Sequence, residues 1–194
     1  MNDYIKKYLK EVRRISKLIS VDDLANMAAL LAALKQNNGR LFIIGVGGSA
    51  ANASHAVNDF RKILGIECYT PLDNVAELTA RINDDGWDTA LTNWLKVSRL
   101  KADDIVLVLS VGGGSENTSQ NLVQAMKYTT KVEAKVLSIV SRDGGYARDA
   151  SDVCVIIPVV NEERITPHAE EWQGVVWHML INGIYSMQGG SNED

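Results

Sequence analysis

The chain has 194 residues, enough for one domain with a sizeable core, and its 46% apolar and 23% charged residues are those of an ordinary globular protein. A net charge of −4 leaves no basic stripe for a nucleic-acid backbone, and no apolar run approaches the length of a bilayer span. Cys68 and Cys154 form no CxxC pair and exclude a disulfide framework; with a charged start (Asp3, Lys6, Lys7) unlike a secretory signal, they point to a reduced, cytoplasmic protein.

Residues 3–18 place Ile5, Tyr8, Leu9, Val12, Ile15 and Leu18 at three- and four-residue steps, the stripe of an amphipathic helix. Ser20, with Asp23 three residues on, resembles a capping box with a shorter acid. The second helix it starts runs through Leu24, Met27, Leu30, Leu31 and Leu34 and stops at Asn38-Gly39. This helical extension, 1–38, has no sheet face of its own, so it covers the sheet or packs on another subunit.

Leu41 to Ile44 reads as a strand buried on both faces, ended by Gly45-Val46-Gly47-Gly48. Ser49 is expected to cap a helix over about 49–64 that carries Asn52, His55 and Asp59. Ile66 to Tyr69 is a short second strand, 71–82 a connection of mixed character, and Asn83-Asp84-Asp85-Gly86 a turn. A helix with Trp87, Leu91, Trp94, Leu95 and Val97 leads to a third strand, Ile105 to Leu109, and the turn Ser110-Val111-Gly112-Gly113-Gly114-Ser115. A helix with Leu122, Val123, Ala125 and Met126 precedes the strand Val136 to Val140, whose turn is Arg142-Asp143-Gly144-Gly145. Val153 to Pro158 is the last strand, and a closing helix over about 167–187 carries Trp172, Val175, Val176, Met179, Leu180 and Ile184. The tail 189–194 is polar and expected to be loose. Strands alternating with helices over 39–188 predict one doubly wound α/β domain with a five-stranded parallel sheet, whose ligands bind beyond the strand C-termini where the winding direction switches.

Two strands thus end in Gly/Ser turns on one sheet edge. Backbone N–H groups and the hydroxyls of Ser49, Ser110 and Ser115 can grip a phosphate there without a lysine; the plain alternative is two tight turns that are rich in glycine. Neither turn is GxxxxGK[ST], which argues against a nucleoside-triphosphate loop. The first also departs from the dinucleotide fingerprint, with Ala50 at the third small position and no acid at a following strand end, so NAD remains only an alternative. His55 and Asp59, four residues apart, share a helix face and can hold a metal, act as a proton-transfer pair, or form a surface ion pair. Glu170 and His178 are about 80° apart around a helix and roughly 12 Å apart along it. One metal meets both only at full stretch, unless two copies of the chain share the site; Glu171 is the rival of Glu170 by angle.

Taken together, Gly45-x-Gly47-Gly48-Ser49, His55-x-x-x-Asp59, Asn83-Asp84, Ser110 to Ser115, Arg142-Asp143-Gly144-Gly145 and the late His178 resemble the sugar isomerase (SIS) domain family, within it the phosphoheptose isomerase group, over nearly the whole chain. The resemblance implies a flavodoxin-like fold and an aldose–ketose isomerase working through an enediol, on a sugar phosphate such as sedoheptulose 7-phosphate. It implies a phosphate held by Gly47, Gly48 and Ser49 and by Ser110, Val111, Gly112 and Ser115, with Asn83 and Asp84 touching substrate. It implies zinc held by His55, Asp59, Glu170 and His178, with Asp59 and His178 carrying protons, and a homotetramer with sites between subunits. The chain departs from the family pattern in several places: Val46 stands for Asn, Val111 to Gly114 lack two hydroxyls and an amide, Asp59 stands for Glu, Glu170 stands for Gln, and Thr166-Pro167-His168 is unlike the usual arrival at the last helix. The shorter Asp59 and the added charge of Glu170 are read as compensatory, Glu170 serving as base or ligand where Asp59 falls short. SIS domains also serve as sugar-phosphate sensors and protein scaffolds, which is the non-enzymatic alternative.

Overall fold

In the computed structural model, which describes residues 1–189, Leu41–Gly45 forms the central strand β1. It is flanked by β2 (Cys68–Tyr69) and β3 (Ile105–Leu109), and β4 (Lys135–Val140) and β5 (Val153–Ile156) complete an all-parallel sheet of order β2-β1-β3-β4-β5. The tail expected over 189–194 lies outside the described residues beyond Gly189. β1 and β3 run in register from Leu41↔Ile105 to Gly45↔Leu109. Both are apolar throughout because each face meets helices. Leu41, Ile43, Leu107 and Leu109 pack into one core, Phe42, Ile44, Val106 and Val108 into the other.

The first core is closed by α2 (Val21–Gln36), α3 (Gly48–Lys62) and α8 (Ile165–Met187); the second by α5 (Trp87–Val97), α6 (Gln120–Lys131) and the short α7 (Gly145–Ala150). Ser20 accepts the Asp23 N–H at 3.1 Å, the cap read from the sequence. Met27 and Leu31 of α2 are fully buried, so the second leading helix covers the sheet. The first, α1 (Asn2–Leu18), buries only Glu11 and Ile15 and leaves Tyr4, Ile5 and Leu9 exposed.

Three local expectations are corrected. Residues 75–85 form a helix, α4, so Asn83-Asp84-Asp85 is its last turn and only Gly86 breaks the chain direction. α4 has only a short apolar stripe, Val75, Leu78 and Ile82, and buries none of it fully, although Leu78 packs against the second core. It is held also by Asn74, which accepts the Glu77 N–H, and by Arg81 paired with Glu77 at 2.6 Å and Asp85 at 3.7 Å. The six residues of α7 are too few for a period to show, and the turn at Gly144-Gly145 leads straight into them. Finally, Gly47 (φ 64°), not Ser49, is the N-cap of α3, and Ser49 is buried inside its first turn.

A buried polar knot ties α1 to the start of α8. Glu11 takes Arg164 through both oxygens at 2.8 Å, the Asn161 amide at 2.8 Å and His168 Nε2 at 3.0 Å. The Arg164 guanidinium holds the Glu11 carboxyl well below the usual carboxylate range, with His168 and Asn161 adding to it and burial opposing. A carboxyl depressed in the folded state stabilises the fold above its unfolded value of 4.5, and that stability is lost as pH falls below it. Glu11→Gln is expected to unfold at lower temperature near neutrality and to show a flatter loss of melting temperature on acidification. Melting curves taken between about pH 3 and 6 read this slope; parallel wild-type and variant slopes would contradict it.

Candidate active site

The chain runs outward from β1 to β2 and then returns to the other side of β1 as β3, so the winding switches between β1 and β3. A cavity of about 520 Å³ opens there, lined by Val46 and Ser49 after β1, by Ser110, Val111, Gly112, Gly114, Ser115, Thr118 and Ser119 after β3, by Arg142 after β4 and by Thr166. Among the described residues no carboxylate lines it. Gln173, fully buried on α8, donates from Nε2 to Ser49 Oγ at 3.0 Å, which leaves the Ser49 hydroxyl with a proton to donate. The Asn52 amide donates to Gln173 Oε1 at 2.8 Å and to the Glu170 carbonyl at 2.9 Å, stapling α8 to the first turns of α3. Ser110 Oγ accepts the Gly113 N–H at 3.1 Å and so shapes its own turn.

Of the expected phosphate contacts, Ser49, Ser110, Val111, Gly112 and Ser115 line this cavity. Gly47 and Gly48 stand beside it at the start of α3, where the Glu170 carboxylate occupies the space a Gly48 side chain would fill. Asn83 and Asp84 do not reach it: they are exposed at the end of α4, and the Asn83 amide donates to Asp84 Oδ1 at 2.8 Å. Thr118, Ser119, Arg142 and Thr166 are the contributors that pattern reading passed over. Arg142 was legible only as part of a turn motif, and Thr166 only as an unfamiliar approach to the last helix.

Farther along α3, His55, Asp59 and His178 offer three ligand atoms within 4.8 Å of one another. Asp59 Oδ2 lies 3.3 Å from His55 Nε2 and 3.2 Å from His178 Nε2, and takes the Trp177 indole N–H at 3.3 Å. Asp59 Oδ1 accepts the Asn58 amide at 3.0 Å. The rings of His55, Trp177 and His178 wrap the carboxylate with centroids 5.2–5.4 Å apart. Because a backbone carbonyl can only accept, the 2.8 Å contact between His178 Nδ1 and the Gly174 oxygen puts the proton on Nδ1 and turns the Nε2 lone pair toward Asp59. Lone pair facing carboxylate is attractive only with a second proton on the ring or a cation between them. Two imidazoles and a carboxylate, converging with one side open, are a donor set that suits zinc.

Glu170 falls outside this cluster. Eight residues before His178 on α8, it faces the start of α3 rather than the two imidazoles, and the shorter Asp59 reaches both rings without it. The expected four-ligand set is therefore a three-residue cluster within one chain.

Fold and site define a doubly wound α/β protein with an anion cradle at its switch point and a metal-type His/Asp/His cluster farther along the same helix. The SIS domain family model matches residues 3–141, and the chain belongs to that family. It is similar to the phosphoheptose isomerase of Pelobacter propionicus, 28% identical over 193 residues, covering 94% of this chain and 96% of that protein. The phosphoheptose isomerase of Neisseria gonorrhoeae superposes with a TM-score of 0.81 at 22% identity, covering 94% of this chain and 96% of that one. That of Francisella tularensis superposes with a TM-score of 0.82 at 20% identity, covering 96% of both. Among the described residues no helix is long and apolar enough to cross a membrane.

Proposed function

We propose that this chain is an aldose–ketose isomerase of a phosphosugar, interconverting sedoheptulose 7-phosphate and a heptose 7-phosphate through an enediol. The observation that carries the reading is the spacing of cradle and cluster on one helix. Ser49 and His55 are six residues apart on α3, about 9 Å along its axis and about 120° apart around it, so a sugar joining them would curve round the first turns of the helix. An extended seven-carbon chain with its ester spans on the order of 9 Å at standard bond lengths. A phosphate seated at Ser49, Ser110 and Ser115 thus brings carbons one and two to the imidazoles.

Each residue then has a task. The cradle fixes the far end of the sugar and removes its freedom to miss the base. Zinc, held by His55, Asp59 and His178, would supply polarisation of the carbonyl and hydroxyl oxygens. Oδ2 of Asp59 faces the rings, and Oδ1, which keeps a lone pair beside the Asn58 amide, takes the proton from the carbon beside the carbonyl and returns it to its neighbour. His178 is the other proton carrier of this reading, moving the proton between the two sugar oxygens through Nε2, the nitrogen it would otherwise offer to zinc. Trp177 holds the carboxylate in place, and Glu170 at the start of α3 is the second carboxylate within reach of the sugar.

The same reading includes a cytoplasmic homotetramer with sites between subunits. Exposed Ile5, Leu9, Val175 and Met179 on α1 and α8 support association, and Asn83 and Asp84, outside their own chain's cavity, would meet sugar in a neighbour's. Purified protein incubated with sedoheptulose 7-phosphate is expected to form the aldose, followed by NMR, with about one zinc per chain. Chelation should abolish turnover and zinc should restore it. Sugar-phosphate binding with no turnover at any zinc load would replace this reading with the sensor one, which the missing hydroxyls at Val111 to Gly114 favour.

A further inference from the structure

Arg142 is the one cation among the residues that line the cradle. It opens the turn after β4, its backbone sits in the left-handed region (φ 55°), and it lines the cavity beside the turn after β3. Its stem runs beside Gly112: a Cβ added there would come within 3.8 Å of Arg142 Cδ. The neighbouring acid is committed elsewhere, since Asp143 Oδ1 accepts the Gly145 N–H at 3.1 Å. Among the described residues Arg40, Arg81 and Arg164 each pair with a carboxylate, while Arg142, like Arg13, Arg14, Arg61, Arg99 and Arg148, has none and is the one of these that lines the cradle. An arginine held exposed at the mouth of an acid-free, hydroxyl-lined cavity has no role in the fold to explain it.

We infer that Arg142 is a substrate-binding residue that grips the terminal phosphate, so that in this chain a guanidinium supplies the donors missing from the turn Val111 to Gly114. A phosphomonoester dianion offers paired oxygens to the planar fork of an arginine, and the pairing is charge-assisted. The ligand class is therefore a terminal phosphate ester carrying its full charge; the neutral sugar lacks the group that Arg142 recognises. Specificity for the ester would come from this charge, and chain length would be read separately by the distance to His55 and His178.

The inference rests on the phosphosugar reading, and its test separates the two. Arg142→Gln and Arg142→Lys are compared with the wild type by calorimetric titration with sedoheptulose 7-phosphate and, independently of turnover, with inorganic phosphate. Losing a hydrogen-bonded charge pair predicts roughly 10- to 100-fold weaker binding of both ligands to Arg142→Gln. Arg142→Lys, which keeps the charge and loses the fork, should lie between. Where turnover is measurable, KM should rise by the same factor while kcat stays within a few-fold, since Arg142 is remote from the reacting carbons. A protein that binds phosphate through Arg142 but isomerises nothing sustains this inference and sinks the isomerase. Equal affinities for wild type and Arg142→Gln, wild type with no affinity for phosphate, or a fall in kcat at constant KM would overturn it.

Discussion

Asp59→Asn is expected to lower kcat by roughly 10²- to 10⁴-fold, the loss that follows removal of a positioned general base. The variant should also lose most of its zinc. One carboxylate oxygen faces His55 Nε2 at 3.3 Å, His178 Nε2 at 3.2 Å and the Trp177 indole at 3.3 Å. An amide is nearly the same shape, so the helices should pack unchanged, but it presents no negative charge to the two rings and cannot accept a proton from carbon. The variant's melting temperature is therefore expected to move little while activity and metal fall together. Glu170→Gln is the necessary comparison. Its carboxylate lies against Gly48 and outside the three-atom cluster, so zinc content should be unchanged and kcat should fall by less than about 10-fold, within what a single neutral-for-charged contact supplies. Metal lost from Glu170→Gln and retained in Asp59→Asn would reverse the assignment and restore the compensatory role first read for Glu170.

How much of this was legible beforehand depended on what each segment buries. β1 and β3 meet helices on both faces, so Leu41 to Ile44 and Ile105 to Leu109 are unbroken apolar runs and were read as strands at once. α4 buries no residue fully and offers only Val75, Leu78 and Ile82 as a period; Asn74 and the charges of Glu77, Arg81 and Asp85 add to its order, and a search for apolar period passes over them. The site divides in the same way. His55 and Asp59 are neighbours on one helix and were found by spacing, and the resemblance supplied His178. Trp177 carries no signal of its own in the sequence, because its role rests on an indole N–H that meets Asp59 across helices. Gln173 and Asn52, 121 residues apart in sequence, tie α8 to α3 by an amide pair that no local pattern contains. Arg142 reaches the cradle only because β4 lies beside β3 and the two turns interlock.

That interlock sets the second large effect. Gly113→Ala is expected to destabilise the fold by about 2–5 kcal/mol, from a side chain forced into the left-handed region and from overlap with packed backbone. Gly113 has φ 71°, and an added Cβ would overlap the Gly144 carbonyl oxygen and come within 3.3 Å of Ala147 Cβ. The obstacle is main chain and cannot swing aside. The contact is reinforced by the Ala147 N–H donating to the Gly113 oxygen at 3.0 Å, the Tyr146 N–H to the Gly114 oxygen at 2.8 Å and the Ser141 N–H to the Val111 oxygen at 2.9 Å. Relieving the overlap means separating the turn after β3 from the start of α7, which displaces Ser110, Gly112 and Arg142 relative to Ser49. Phosphate affinity should therefore collapse even under conditions where the variant stays folded. Gly112→Ala, one residue earlier, is the control: its φ is outside the left-handed region and its Cβ would meet only Arg142 Cδ at 3.8 Å. It should melt within about 1 kcal/mol of wild type, as surface substitutions without a named conflict do. Urea denaturation and phosphate titration of the pair decide the matter. Equal stability and equal phosphate affinity for the two alanine variants would mean that the glycine contact between the two turns does not hold the cradle in shape.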